Sequence, residues 1–439
     1  MGRENDAYLT KKNSNLKANF FYLFLFLQFS KVYCQEVFME KISNSEIKTI
    51  LFYGFGPNQN FAKRYLLPPI INLNSNNSLF IEFDDLRASY SQFSAKIIHC
   101  ETNWVKSNLN EMEYLEGFNE FFINTFDVSQ NTKIPYYHFR FKLPKLKVSG
   151  NYILQIFEDN LNGTLIIQKK FQIFEQKINI LAQVLPAQDP NLWKTSQQII
   201  VALNHGDYRI NNAKKEIKVV IRQNFREDKT IELNNNNLIN AGLNEIKFNN
   251  FNNENIFLAG NEFRYFNASS SFSKGDNIKN NYQGKTDELI IIPQTIRSNK
   301  VYLDAFDNNG QFVLNNNLGQ DLDLSSDYIS VKIVLNLSKK NDGNVPLVIG
   351  KFNNWKLENA KLEFNPSTQM YEKSFLLKQG IYDYAFGQIE DTNNKINETY
   401  FEGNFSDTRN SYEIFVYQKS PSARASQLVG YRLINVIGN

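Results

Sequence analysis

Three histidines, two cysteines and a scatter of carboxylates are the residues with which this chain of 439 could do chemistry. Their spacing gives them little to do together. His99, His138 and His205 lie far apart, with no HxxxH-type pair to hold a metal. His99 stands beside Cys100 in a predicted strand, and neighbours on a strand face opposite ways, so a Cys–His nucleophile cannot form. No GxSxG elbow, P-loop or GxGxxG fingerprint occurs. Asp84, Asp85 and Asp159 fall at strand ends, where acidic residues mostly form turns; a glycosidase pair would need its carboxyls about 5–9 Å apart. The run from Asp304 through Asp307, Asn308 and Asn309 to Gly310 opens like a calcium loop, but Asn315 stands where the distal Glu belongs. Asn309-Gly310, between Tyr302–Phe306 and Gln311–Leu314, reads more economically as a hairpin turn. The expectation is therefore no catalytic, metal or cofactor-binding residues, and no enzyme.

The elements around these residues are strands. Tyr136 to Leu143 alternates strictly: Tyr137, Phe139, Phe141 and Leu143 on one face, Tyr136, His138, Arg140 and Lys142 on the other. The 37 Phe and 22 Tyr suit pleated, half-buried surfaces. The predicted fold is all-β, with tandem immunoglobulin-like or E-set sandwiches, and chain length alone suggests about three domains. A net charge of +3 argues against nucleic acid as a partner. At the start, residues 20–29 form an apolar block behind Lys11, Lys12 and Lys17. It is shorter than the roughly 20 residues that span a bilayer, and it reads as a secretory signal cut between Cys34 and Gln35. The exported chain is not expected to span a membrane, and it keeps only Cys100, so no disulfide can staple it. The expected divisions are 1–34 signal, 35–176 first sandwich, 177–325 middle sandwich, 326–419 C-terminal sandwich and 420–439 tail.

Two segments are candidates for binding. The excursion from Trp104 to Phe122 sets Trp104, Leu109, Tyr114, Leu115 and Phe118 among polar residues, and a turn of helix fits Tyr114 to Phe118. Either it folds back over the sandwich or it is a loop for docking a partner, with Trp104, Tyr114, Leu115 and Phe118 as its anchors. Farther on, Gly350-Lys351-Phe352-Asn353-Asn354-Trp355 and Gly380-Ile381-Tyr382-Asp383-Tyr384-Ala385-Phe386 resemble the GxFNxW and GxYxYxF pair of glycogen-binding β-sandwich modules. That resemblance implies a C-terminal sandwich of this type, with Trp355 as the alternative glycan-stacking residue. Ala385 replaces the module's lysine, and no second Trp follows.

A wider resemblance rests on motifs in order: Phe83-Asp84-Asp85-Leu86, Ile97 through Trp104, Glu113 through Phe118, Ser149-Gly150-Asn151-Tyr152, Gly260 through Arg264 and Leu377-Lys378-Gln379-Gly380. Together they are similar to the plug proteins of the Bacteroidota type IX secretion system. The resemblance implies a non-enzymatic periplasmic protein at the inner face of the outer membrane. It implies one partner, the system's giant outer-membrane translocon barrel, which a plug seals when idle, and no small-molecule substrate. The alternative is a periplasmic or secreted carbohydrate-binding sandwich.

Overall fold

The computed structural model describes residues 36–436 except 58, 88, 241, 243, 249–252, 320, 338–344 and 391–394. The leader and the Cys34–Gln35 cleavage site lie outside the described residues. The fold is all-β, built from mostly antiparallel sheets packed as sandwiches.

The first sandwich opposes two sheets. One runs in the order Lys41–Ile42, Leu165–Phe174, Gly150–Glu158, Phe93–Cys100, Phe121–Phe122, and the other Ile47–Phe55, Ser78–Asp85, Tyr137–Lys142, Phe126–Val128. Its core is aromatic at the centre: Phe83 stacks on Phe139 at 5.3 Å and meets Phe93 edge-on at 5.2 Å. Such pairs add about 0.5–1.5 kcal/mol each beyond the area they bury.

The second sandwich is discontinuous in sequence. One sheet holds Asn179–Pro186, Ser196–Asn204, Glu245–Phe248 and Leu238–Asn240, with Ile256–Leu258 alongside Ser196–Asn204. The facing sheet joins Thr230–Glu232 and Ile217–Gln223 to Ser411–Gln418 and Gln427–Asn435. Residues expected as a tail thus form a nine-residue edge strand, whose Leu428 and Val429 are buried.

The third sandwich is inserted into the second. Arg264–Asn267 and Phe312–Leu314 flank Gly380–Glu390, facing the sheet Ile278–Tyr282, Glu288–Ile291, Tyr328–Leu335, Met370–Lys378, Glu363–Asn365. The expected boundary at 325/326 therefore runs through the middle of a sandwich. Local periodicity reports a strand but not its partner, and here Arg264–Asn267 pairs more than a hundred residues away, with Gly380–Glu390. Val301 to Phe306, expected as a strand, has no ladder, so the hairpin expected around Asn309-Gly310 is absent; Phe312–Leu314 pairs with Gly380–Glu390 instead.

Leu51, Tyr53 and Tyr65 of the first sandwich share one apolar cluster with Phe266, Ile333 and Tyr384 of the third. Ile70 packs with Phe415, Tyr417 and Leu428 of the second. The sandwiches are thus joined by core rather than strung on linkers.

Candidate functional site

The segment 104–128 is built in two halves with different fates. Asn110 opens a single helical turn, Glu111–Tyr114, in a capping box with Glu113, whose Oε2 accepts from the Asn110 N–H at 2.7 Å. That turn drives Tyr114 and Leu115 into the core, both almost fully buried, where the Tyr114 hydroxyl donates to the Ile97 carbonyl at 3.1 Å. Gly117 then takes a φ of +79°, a conformation costly for other residues, and reverses the chain. Asn119 returns it to the sheet like one more strand residue: Oδ1 accepts from Ile97 N–H at 2.9 Å and Nδ2 donates to Ile97 O at 2.7 Å. Between Gly117 and Asn119, Phe118 is left 92 % exposed.

Of the four expected anchors, only Phe118 faces solvent. Trp104 is half-buried, with the Lys170 ammonium 4.3 Å from its ring centroid. The helix belongs to 111–114 rather than Tyr114 to Phe118, because the cap sits at Asn110 and the backbone is already extended at Leu115. Spacing alone also missed two short edge strands. Phe121–Phe122 is the edge strand of one sheet and Phe126–Val128 the edge of the other, so the segment closes one side of the sandwich twice. Phe122, Phe126 and Val128 stand exposed there, with Met112 and Phe118 on the preceding turn. A run of Phe on two sheet edges was the available signal.

The face of the first sandwich against the third is ionic. Asp84, buried, receives the Lys378 ammonium at 2.8 Å and the Tyr328 hydroxyl at 2.6 Å on Oδ2, and His138 Nδ1 lies 2.7 Å from Oδ1. Arg140 bridges Glu82 at 2.7 Å and Asp323 at 3.0 Å, and Arg64 pairs with the same two carboxylates. Burial opposes the ionised forms of Glu82 and Asp84. The neighbouring groups outweigh it and hold both below the usual carboxylate range: the Arg64 and Arg140 guanidiniums for Glu82, the Lys378 ammonium and the hydrogen bond with His138 for Asp84. Glu82, His138 and Asp323 converge closely enough to suggest a metal triad. Two guanidiniums already neutralise that triad, and a dication beside them would add uncompensated buried charge. The arrangement is an interdomain lock.

Trp355 is not an open platform. The Arg226 guanidinium lies 4.2 Å from its ring centroid, Phe263 packs edge-on at 5.7 Å, and Arg226 is itself buried on Glu398 at 2.7 Å. A sugar stacking on that face of Trp355 would have to displace a paired cation. His99 and Cys100 do diverge: His99 packs on Tyr114 and Tyr152, while Cys100 joins Ile98 and Ile153 on the opposite face. Burial lowers the imidazole to about 4 and raises the thiol to about 12, leaving neither poised to react near neutrality.

Residues 47–175 match the model of the family described as "Type 9 secretion system plug protein 1st domain". That stretch is similar to the first domain of type IX secretion plug proteins. A crystal structure of a hypothetical protein from Parabacteroides merdae ATCC 43184 superimposes with a TM-score of 0.84 at 27 % identity, covering 91 % of this chain and all of that one. Escherichia coli alpha-2-macroglobulin activated by porcine elastase aligns at a TM-score of 0.15 and 10 % identity, over 88 % of this chain and 30 % of that one, and supports no inference. No curated protein matches. The match over residues 47–175 suggests a role in type IX secretion and a place in the cell envelope, and with the all-β build it points to a non-catalytic structural protein. Among the described residues no helix is long and apolar enough to cross a membrane.

Proposed function

We propose that this protein is the periplasmic plug of a type IX secretion system, seated at the inner face of the outer membrane and sealing the idle translocon barrel. The observation that carries the reading is the plug first-domain match over residues 47–175, which contains the doubly edged, Phe-lined side of the first sandwich. A plug needs a body that does not deform, and shared cores and the Asp84–Lys378 lock supply one. It also needs a surface to seat on the barrel. Met112, Phe118, Phe122, Phe126 and Val128 offer apolar contacts beside strand edges on which an extended rim segment of the barrel can pair.

Capture from the native envelope tests both parts. The tagged chain is expected to recover one very large outer-membrane barrel. The double variant Phe118→Asp and Phe122→Asp is expected to lose it while melting at the wild-type temperature, since neither ring is buried. Capture that survives the double variant would move the seat elsewhere on the molecule. A well-folded bait that recovers no barrel would sink the plug reading.

A further inference from the structure

The turn that opens like a calcium loop without its distal Glu is completed from elsewhere in the fold. Glu262 lies just ahead of Arg264–Asn267, is 1 % exposed, and comes into carboxyl-to-carboxyl contact with Asp307. Glu262 Oε1 accepts from the Tyr302 hydroxyl at 2.5 Å and from the Arg409 N–H at 2.9 Å. Its Oε2 is buried and has no hydrogen-bond donor. In the same turn Asn309 Oδ1 is likewise buried without a donor, while its Nδ2 donates to Ser411 at 3.2 Å. Asp307 Oδ1 accepts from the Asn309 N–H at 2.8 Å, and its other oxygen from the Phe263 N–H. Behind it, Asp383 accepts from the N–H groups of Asn308 and Gly310.

What is missing here is positive charge. Among the described residues no basic side chain pairs with Glu262, Asp307 or Asp383. Arg409 is turned to Asp304, and Arg297 spends its guanidinium on Glu402 and on the Glu262 main-chain carbonyl. The Glu82–His138–Asp323 group, though closer-set, is already neutral. One carboxylate oxygen and one amide oxygen without donors, among carboxylates that no cation pairs, are ligand types that a hard dication takes.

We propose that Glu262, Asp307 and Asn309 bind a calcium ion at the base of residues 301–308. That segment carries Val301, Leu303 and Phe306, each largely exposed, so the ion fixes how these side chains are presented. The site does not depend on the plug reading.

The test is calcium titration of the full chain after EDTA treatment and removal of the chelator, read by calorimetry and by melting temperature. Stoichiometric uptake and a rising Tm are expected. Both should vanish in Glu262→Gln and in Asp307→Asn and persist in Glu288→Gln, a carboxylate on a surface pair with Lys332. Should a variant fail to fold, uptake by the unaltered chain decides. Absence of uptake overturns the site; so does uptake that Glu262→Gln leaves unchanged. A calcium-insensitive chain in which Glu262→Gln raises Tm would show that the carboxyls share a proton instead.

Discussion

Two of the buried acidic clusters among the described residues differ in how much positive charge faces them. At the junction of the first and third sandwiches, Glu82, Asp84 and Asp323 face Arg64, Arg140 and Lys378, three carboxylates against three cations. At the base of residues 301–308, Glu262, Asp307 and Asp383 face backbone N–H groups and one tyrosine. Burial acts on both alike. The cations separate the two in part: Glu82 and Asp84 are held down while burial still raises Asp323, whereas Glu262, Asp307 and Asp383 are all pushed up. A compensated cluster fastens domains, and an uncompensated one is a place for a cation.

Removing a cation from the first cluster should have the largest effect. Lys378→Met leaves Asp84 buried with no ammonium, a change that costs about 3–5 kcal/mol when a buried pair loses one partner. Denaturant unfolding measures it. Adding Asp84→Asn to that variant should recover much of the loss, because the orphaned charge is gone. A single variant within about 0.5 kcal/mol of wild type would mean that the lock is ornamental.

Removing a carboxylate should have opposite signs in the two clusters. Glu82→Gln breaks paired contacts with Arg64 and Arg140 and should destabilise by about 2 kcal/mol. Asp383→Asn removes a charge that nothing balances, and in calcium-free buffer near pH 8 it should stabilise on the order of 1 kcal/mol. Equal signs would erase the distinction between the clusters.

Much of the fold was legible because strands announce themselves by alternation, and Tyr136 to Leu143 did so on both faces. What alternation cannot show is what a polar face meets. His138 and Arg140 lie on the more polar face of that strand, yet His138 is buried and both meet the carboxylates of the lock. The excursion that begins at Trp104 was legible as a segment, since a run with aromatics among polar residues is conspicuous. Its residues were not, because the Asn110 cap and the Gly117 reversal decide that Tyr114 and Leu115 go in and Phe118 goes out. Glu262 was invisible for another reason. It completes the Asp307 turn from a distance in sequence that no local motif spans.

The pH dependence separates the clusters without any mutation, by a smaller effect. Asp383 is raised to about 7 in the folded chain, and Glu262 and Asp307 are raised with it. A carboxyl raised on folding binds its proton more tightly in the native state, so the native state gains protons that the unfolded chain releases above about pH 4. The stability from these groups is complete below that pH and is lost as the pH climbs through about 7. Glu82 and Asp84, depressed on folding, behave the other way: their contribution is present above about pH 4 and is lost as the medium turns more acid. Melting temperature in calcium-free buffer should therefore fall on both sides of a mildly acidic maximum. Saturating calcium should flatten only the alkaline side, because the ion replaces the protons of Glu262 and Asp307 and leaves the lock untouched. An alkaline limb that calcium does not change would separate the upward shift of these carboxyls from any cation site.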